Sequence, residues 1–209
     1  MTRLAFIGGG GFAKEALELA ELGGHEVVGY VGESEGVLDR PYWGAMDALT
    51  GRRGDFDAVC IAFGGVDRKG MAARSLVVAW LRDNGFRSET LVSPHATVAA
   101  GASVGEGSIV AHGVVISVDA RIGAHCILNT SAIVGHDAVI GDNVVIAPAA
   151  FIGGLAGVGE NSLIGPGATV LQGLKVGRDV IVGVGASVLR NVADGATVWP
   201  HRSKVISAG

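Results

Sequence analysis

Leu91 to Val192 reads LVSPHA, TVAAGA, SVGEGS, IVAHGV, VISVDA, RIGAHC, ILNTSA, IVGHDA, VIGDNV, VIAPAA, FIGGLA, GVGENS, LIGPGA, TVLQGL, KVGRDV, IVGVGA, SVLRNV: seventeen hexads in one phase, without an insertion. The second place is aliphatic in every hexad, from Val92 through Ile140 to Val188, and the sixth is mostly Ala, Ser, Cys or Val. No α-helix keeps residues six apart on one face, because six residues turn it through about 600°, a net 240°. An ordinary strand buries every second residue, not one in six. A short strand followed by a corner satisfies the pattern. Three such units close a triangular coil, and stacked coils form a parallel β-helix. Second-place side chains then point inward and stack from coil to coil. Small sixth-place residues fit the crowded interior near a corner, and glycine serves corners of unusual φ and ψ. The prism is roughly 27 Å tall at about 4.8 Å per coil.

Before residue 90 the pattern changes to alternating strands and helices. Leu4–Ile7 reads as an apolar strand, Gly8–Gly11 as a turn, and Phe12–Leu22 as a helix with Ala13, Ala16, Leu17 and Ala20 on one face. Strands are expected at Glu26–Val31 and Ala58–Phe63, and a second helix over Val66–Asn84. This is a small parallel βαβ-type unit. The expected organisation is therefore a Rossmann-like α/β domain at 1–90, a β-helix at 91–192 and a tail at 193–209.

Composition narrows the function. The chain has 35 glycines among 209 residues, far above the usual share of about 7%. A 49% hydrophobic content with only five prolines still argues for a packed core rather than disorder. The net charge is −4 and no basic run occurs, so nucleic acid is not an expected partner. The start, M-T-R-L-A-F-I-G-G-G-G, has too short an apolar stretch for a secretory signal. No window reaches the ~20 apolar residues of a membrane span. Cys60 and Cys126 read as small core residues of a protein kept in a reducing cytoplasm.

The glycine turn F-I-G-G-G-G-F-A-K-E carries Gly8, Gly10 and Ala13 in the G-x-G-x-x-A spacing of a dinucleotide site, with Glu33 twenty residues beyond Ala13. A dinucleotide fold needs two halves, and the 90 residues before the repeats hold one. A mononucleotide half with phosphate at the helix N-terminus fits better. A tight turn with no ligand and an NAD site are the alternatives. The hexads themselves carry one chemical pair, His136 and Asp137, at the fourth and fifth places, away from the inward position. Counting by eighteen puts Val118 one coil before His136 and Gly154 one coil after it. A glycine there lets a ligand approach the backbone, so a base, a nucleophile and an oxyanion donor could meet around one point, as acyl transfer requires. His25, His95, His112, His125 and His201 are expected at the surface or at corners. The 13- and 11-residue spacings of His112, His125 and His136 do not match the three-histidine zinc site of β-helix carbonic anhydrases, and no metal is expected.

The stretch I-L-N-T-S-A-I-V-G-H-D-A-V-I-G-D, Ile127 to Asp142, together with the small α/β half before uninterrupted hexads, resembles the hexapeptide-repeat sugar acetyltransferases of the sialic acid O-acetyltransferase (NeuD) type. That group includes bacterial bacillosamine and perosamine N-acetyltransferases. The resemblance implies a left-handed coil, whereas the general rule for parallel crossovers would give the right hand. It also implies a homotrimer with acetyl-CoA held between the β-helices of neighbouring subunits. The Asn-Thr pair of the family falls on Asn129 and Thr130, its catalytic base on His136, the acidic partner of that base on Asp137, and a backbone N–H near the thioester on Gly154. Nucleotide-sugar contacts fall on Gly10, Gly11, Phe12, Gly32, Glu33 and Gly64. CoA contacts fall on Val145, Gly154, Pro166, Gly167 and Val184. Many members have a histidine in place of Phe12 and two aspartates in place of Gly32 and Glu33. The tail V-W-P-H-R-S-K also departs from the family's Gly-x-Pro-Ala-Lys, leaving Arg202 and Lys204 as candidates for CoA phosphates. The implied reaction moves acetyl from acetyl-CoA to the amino group of a nucleotide-linked sugar, of the 4-amino-4,6-dideoxy type, in the cytoplasm. O-acetylation of a sugar hydroxyl and a non-catalytic nucleotide-sugar-binding protein stand beside it.

Overall fold

A computed structural model describes residues 1–200. The chain opens with β1 (Arg3–Ile7), α1 (Gly11–Leu22), β2 (Glu26–Val31), the one-turn α2 (Ala48–Gly51), β3 (Ala58–Ile61) and α3 (Arg68–Asp83). β1 lies between β2 and β3, and both pairings are parallel. Alternate residues serve two cores, as the two-residue period of a strand requires. Leu4, Phe6 and Cys60 join Ala13, Ala16 and Met71, while Ala5, Ile7, Val59 and Ile61 join Leu49 and Leu81. The first core runs on without a break into the interior of the repeats. β3 ends two residues before the expected Phe63, and α3 begins two after the expected Val66. The reason is Asp67, whose extended backbone caps the helix and whose Oδ1 accepts from Gly70 N at 2.7 Å.

From Leu91 the chain winds as a parallel β-helix of two-residue strands on three faces, stacked seven, six and five high. The first face holds Leu91–Val92, Ile109–Val110, Ile127–Leu128, Val145–Ile146, Leu163–Ile164, Ile181–Val182 and Thr197–Val198. The second includes Ile133–Val134 and Phe151–Ile152, and the third Arg121–Ile122 and Val139–Ile140. Partners are eighteen residues apart, as in Ile127↔Val145, Ile133↔Phe151 and Val139↔Gly157. The last coil is two residues shorter: Val176 bridges Val192, and Ile181 pairs with Thr197. Thr197–Val198 lie in the stretch assigned to a tail from its sequence, yet they continue the first-face ladder.

The second-place aliphatics are buried from Val110 to Val188, each contributing about 1.5–3 kcal/mol relative to full exposure. Val92 and Val98 remain 40% and 41% exposed because no coil lies beneath them. The corner has a rule of its own. The fifth place has positive φ in every hexad from Gly101 to Gly185. Six of these fifteen residues are glycine; the others, including His125, Asp137, Asn143, Ala149 and Leu155, sit at φ 53–61°. Left-handed backbone costs a non-glycine residue about 1–2 kcal/mol, and Asp and Asn bear it best. The pairing of each coil with the next over-determines the bend.

Candidate active site

His136 follows the second-face strand Ile133–Val134, and Asp137 occupies the left-handed corner at φ 57°. The bend folds the carboxylate back onto its neighbour. His136 Nδ1 lies 2.8 Å from Asp137 Oδ2. The two side chains are 56% and 50% exposed, so the pair faces outward. The corner is held from both sides: Asp137 N–H donates to the Val118 carbonyl at 3.0 Å, and Leu155 N–H donates to the His136 carbonyl at 2.8 Å. The imidazole lies flat against Gly154, one coil on. A Cβ built there would sit 2.5 Å from His136 Nε2. Among the described residues nothing accepts a hydrogen bond from the Gly154 N–H. Around the pair Val118, Ile133, Val139, Phe151, Leu155 and Leu171 are exposed, together with the polar Asp119, Arg121 and Gln172.

A second feature lies on another side of the prism. A cleft of about 740 Å³ separates the amino-terminal unit from the first face. One wall is the start of α1, with Phe12 and Glu15, and the β3–α3 connection from Gly64 to Arg68. The other wall holds Asn129, Val145, Pro148, Pro166, Val184 and Trp199. Of the residues singled out from sequence, the cleft brings together Phe12, Gly64, Asn129, Val145, Pro166 and Val184. It does not include His136, Asp137 or Gly154, which lie on a different edge. Gly10, the N-cap of α1, and Gly11 precede Phe12 just outside the lining. Gly32 is tied down, its N–H donating to the Gly44 carbonyl at 2.9 Å and its carbonyl accepting from Tyr42 Oη at 3.1 Å. Glu33 beside it is exposed, and Gly167 stands outside the cleft with its N–H on the Pro148 carbonyl at 2.9 Å. Asn129 Oδ1 accepts from Thr130 N at 2.7 Å, which leaves its amide N–H groups to other partners.

Sequence reasoning missed Glu15, Asp67, Arg68, Pro148 and Trp199. The one available signal was Gly64-Gly65 followed by an N-capping aspartate, a tight turn into a helix at the end of a buried strand. Arg202 and Lys204 lie outside the described residues. Burial pushes the Cys60 and Cys126 thiols up to about 12, so neither offers a thiolate at neutral pH. Among the described residues no group of three His, Cys, Asp or Glu is placed to hold a metal ion. Among them too, no helix is long and apolar enough to cross a membrane.

Residues 119–154 match the family described as bacterial transferase hexapeptide (six repeats), and residues 156–190 that described as hexapeptide repeat of succinyl-transferase. No curated protein matches the sequence. Among solved structures, a histidine-to-asparagine mutant of perosamine N-acetyltransferase from Caulobacter crescentus, in complex with CoA and GDP-perosamine, is 32% identical. The match covers 94% of this chain and 93% of that one, with a TM-score of 0.87. The acetyltransferase domain of PglB from Neisseria gonorrhoeae, in complex with acetyl coenzyme A, is 29% identical over 95% and 98% of the two chains, with a TM-score of 0.86. WeeI from Acinetobacter baumannii is 25% identical over 94% and 96%, with a TM-score of 0.82. Repeats, coil geometry and near full-length similarity agree: the chain belongs to the hexapeptide-repeat sugar acetyltransferases, the family of perosamine N-acetyltransferase.

Proposed function

We propose that the protein transfers the acetyl group of acetyl-CoA to the amino group of a nucleotide-linked amino sugar of the 4-amino-4,6-dideoxy type. The observation that carries this reading is the exposed imidazole of His136, 2.8 Å from Asp137 Oδ2 and packed on Gly154. A solved relative over nearly the whole chain binds CoA and GDP-perosamine. A carboxylate only accepts hydrogen bonds, so the neutral imidazole carries its proton on Nδ1, toward Asp137, and keeps the lone pair on Nε2. Nε2 removes a proton from the sugar amine as the nitrogen attacks the thioester carbonyl carbon. The carbonyl oxygen becomes an oxyanion that accepts from the Gly154 N–H. The C–S bond then breaks, and the departing thiolate takes the proton from Nε2, leaving the amide and free CoA. With both thiols buried and protonated, neither cysteine serves as a nucleophile, and the amine attacks the thioester directly.

In this reading the nucleotide sugar contacts Gly10, Gly11, Phe12, Gly32, Glu33 and Gly64. Acetyl-CoA contacts Val145, Gly154, Pro166, Gly167 and Val184, and Asn129 faces the reacting groups. Residues 1–90 act as a Rossmann-like nucleotide-sugar domain, supported by the parallel order β2-β1-β3 with a glycine turn after β1. Residues 91–192 form a left-handed β-helix, and the carboxy-terminal segment that starts at 193 adds Thr197–Val198 to its first face. The active form is a homotrimer. The support is geometric: His136 and the cleft stand on different edges of one prism, and six large apolar side chains near His136 are exposed. Copies packed edge to edge bring the histidine of one to the cleft of the next. Two free, buried cysteines support a cytoplasmic location.

The test is a thermal-shift screen of UDP-, GDP- and dTDP-linked 4-amino sugars with and without CoA, followed by acetyl transfer with whichever stabilises the protein. The expected product resists mild base, as an amide does. A base-labile acetyl product points to a hydroxyl acceptor instead. Sugar-nucleotide binding without CoA binding rejects the enzymatic reading.

A further inference from the structure

The seam between α3 and the β-helix carries a row of polar contacts beside the buried Met71. Arg68 Nη1 donates to the Asp179 carbonyl at 3.1 Å. Ser75 Oγ donates to Asn161 Oδ1 at 3.0 Å. Arg74 Nη2 donates to the His125 carbonyl at 2.7 Å, and its Nε to Asn143 Oδ1 at 3.1 Å. His125, Asn143, Asn161 and Asp179 are the left-handed fifth-place residues of four successive coils. They form one corner column, and α3 runs along it.

Arg74 is the unusual member. It is 1% exposed, and among the described residues no carboxylate pairs with it. Its third partner is the carbonyl of Phe63, to which Nη1 donates. Burial draws the guanidinium down to about 10, which leaves it charged at neutral pH. A buried cation bonded only to neutral oxygens carries a desolvation cost, and an apolar side chain of similar volume serves stability as well or better. What the apolar side chain lacks is a planar fork of donors that fixes several segments at once. Here the fork ties Phe63 to two neighbouring coils. Phe63 is the residue directly before Gly64, where one wall of the cleft begins. The coils it is tied to continue into the opposite wall.

We infer that Arg74 is a positioning residue for the substrate cleft: it sets the place of the Gly64–Arg68 wall relative to the first face of the β-helix. Its effect on turnover rests on the proposed function, in which the Gly64 wall receives the nucleotide sugar while acetyl-CoA is held by the repeats.

The test compares full-length Arg74→Met and Arg74→Lys with the wild type. KM is measured separately for GDP-perosamine and acetyl-CoA, with amide hydrogen exchange read at Gly70 and Met71, whose N–H groups donate to Asp67 of the wall, and at Val145. For Arg74→Met the KM for GDP-perosamine is expected to rise about tenfold while that for acetyl-CoA stays within about twofold. Exchange should accelerate at Gly70 and Met71 and stay slow at Val145. Arg74→Lys keeps the charge without the fork and should fall between; it carries the same comparison if Arg74→Met does not fold. A role in stability alone lowers the melting temperature and kcat with both KM values unchanged. That result, or an equal rise in both KM values, overturns the inference. Should the wild type turn over no nucleotide-linked amino sugar, the proposed function fails. The exchange comparison still decides the role of Arg74, and unchanged exchange at Gly70 and Met71 overturns it.

Discussion

Asp137 reaches the imidazole beside it because its backbone sits at φ 57°; on a straight strand the two side chains would point to opposite faces. The His-Asp pair is legible in I-V-G-H-D-A-V-I-G-D, and its assignment comes from a family resemblance. The contact itself is not legible, because sequence does not state the backbone conformation of a fifth-place aspartate. Two substitutions probe the pair. Asp137→Asn tolerates the left-handed corner but presents an amide that can donate to Nδ1, which moves the imidazole proton to Nε2. kcat is expected to fall by about 10²- to 10⁴-fold with the melting temperature unchanged, checked by steady-state kinetics and calorimetry. Gly154→Ala places a methyl 2.5 Å from Nε2, which forces the ring aside. A loss of about 100-fold in kcat is expected with the fold intact by circular dichroism.

At the scale of the repeat, the second and sixth places announce themselves because burial restricts them to aliphatic and small residues. The fifth place does not, since it accepts Gly, Asn, Asp, Ser, His, Ala and even Leu155. The backbone there is imposed by the stacked coils rather than by residue type. Ala149, at φ 57° and exposed, therefore carries strain. Ala149→Gly should stabilise the protein by about 0.5–1 kcal/mol in a denaturant titration, the left-handed penalty less the entropy of glycine. The third-place glycine Gly159 behaves oppositely. A Cβ on Gly159 would meet Arg178 N and Gly177 C of the next coil at 2.6 Å, so Gly159→Ala should lower the unfolding midpoint by the equivalent of about 1–3 kcal/mol. The last coil escaped the sequence period because two residues are missing after Val188. Thr197–Val198 then fall out of phase although they pair with Ile181–Val182.

In the whole molecule, the cleft and the His136 corner stand on separate edges, and no period in the sequence says which edges face each other. The cleft was equally hidden. Glu15, Arg68 and Trp199 come from three distant stretches, and only packing of the amino-terminal unit on the first face unites them. If neighbouring copies complete the site, two defective chains can complement each other. Gly64 lines the cleft and nothing lies within 4 Å of a Cβ there, so Gly64→Leu adds bulk to the cleft wall. His136→Ala and Gly64→Leu chains, each inactive alone, should recover activity when refolded together and not when merely mixed as folded oligomers. The central claim is that His136 is the base for acetyl transfer to a nucleotide-linked amine. Its most direct test is the kcat of His136→Ala against wild type with saturating acetyl-CoA and the nucleotide-linked amino sugar that the wild type acetylates. A fall of about 10²- to 10⁴-fold with an unchanged melting temperature is predicted; a variant that folds and keeps full kcat contradicts the account.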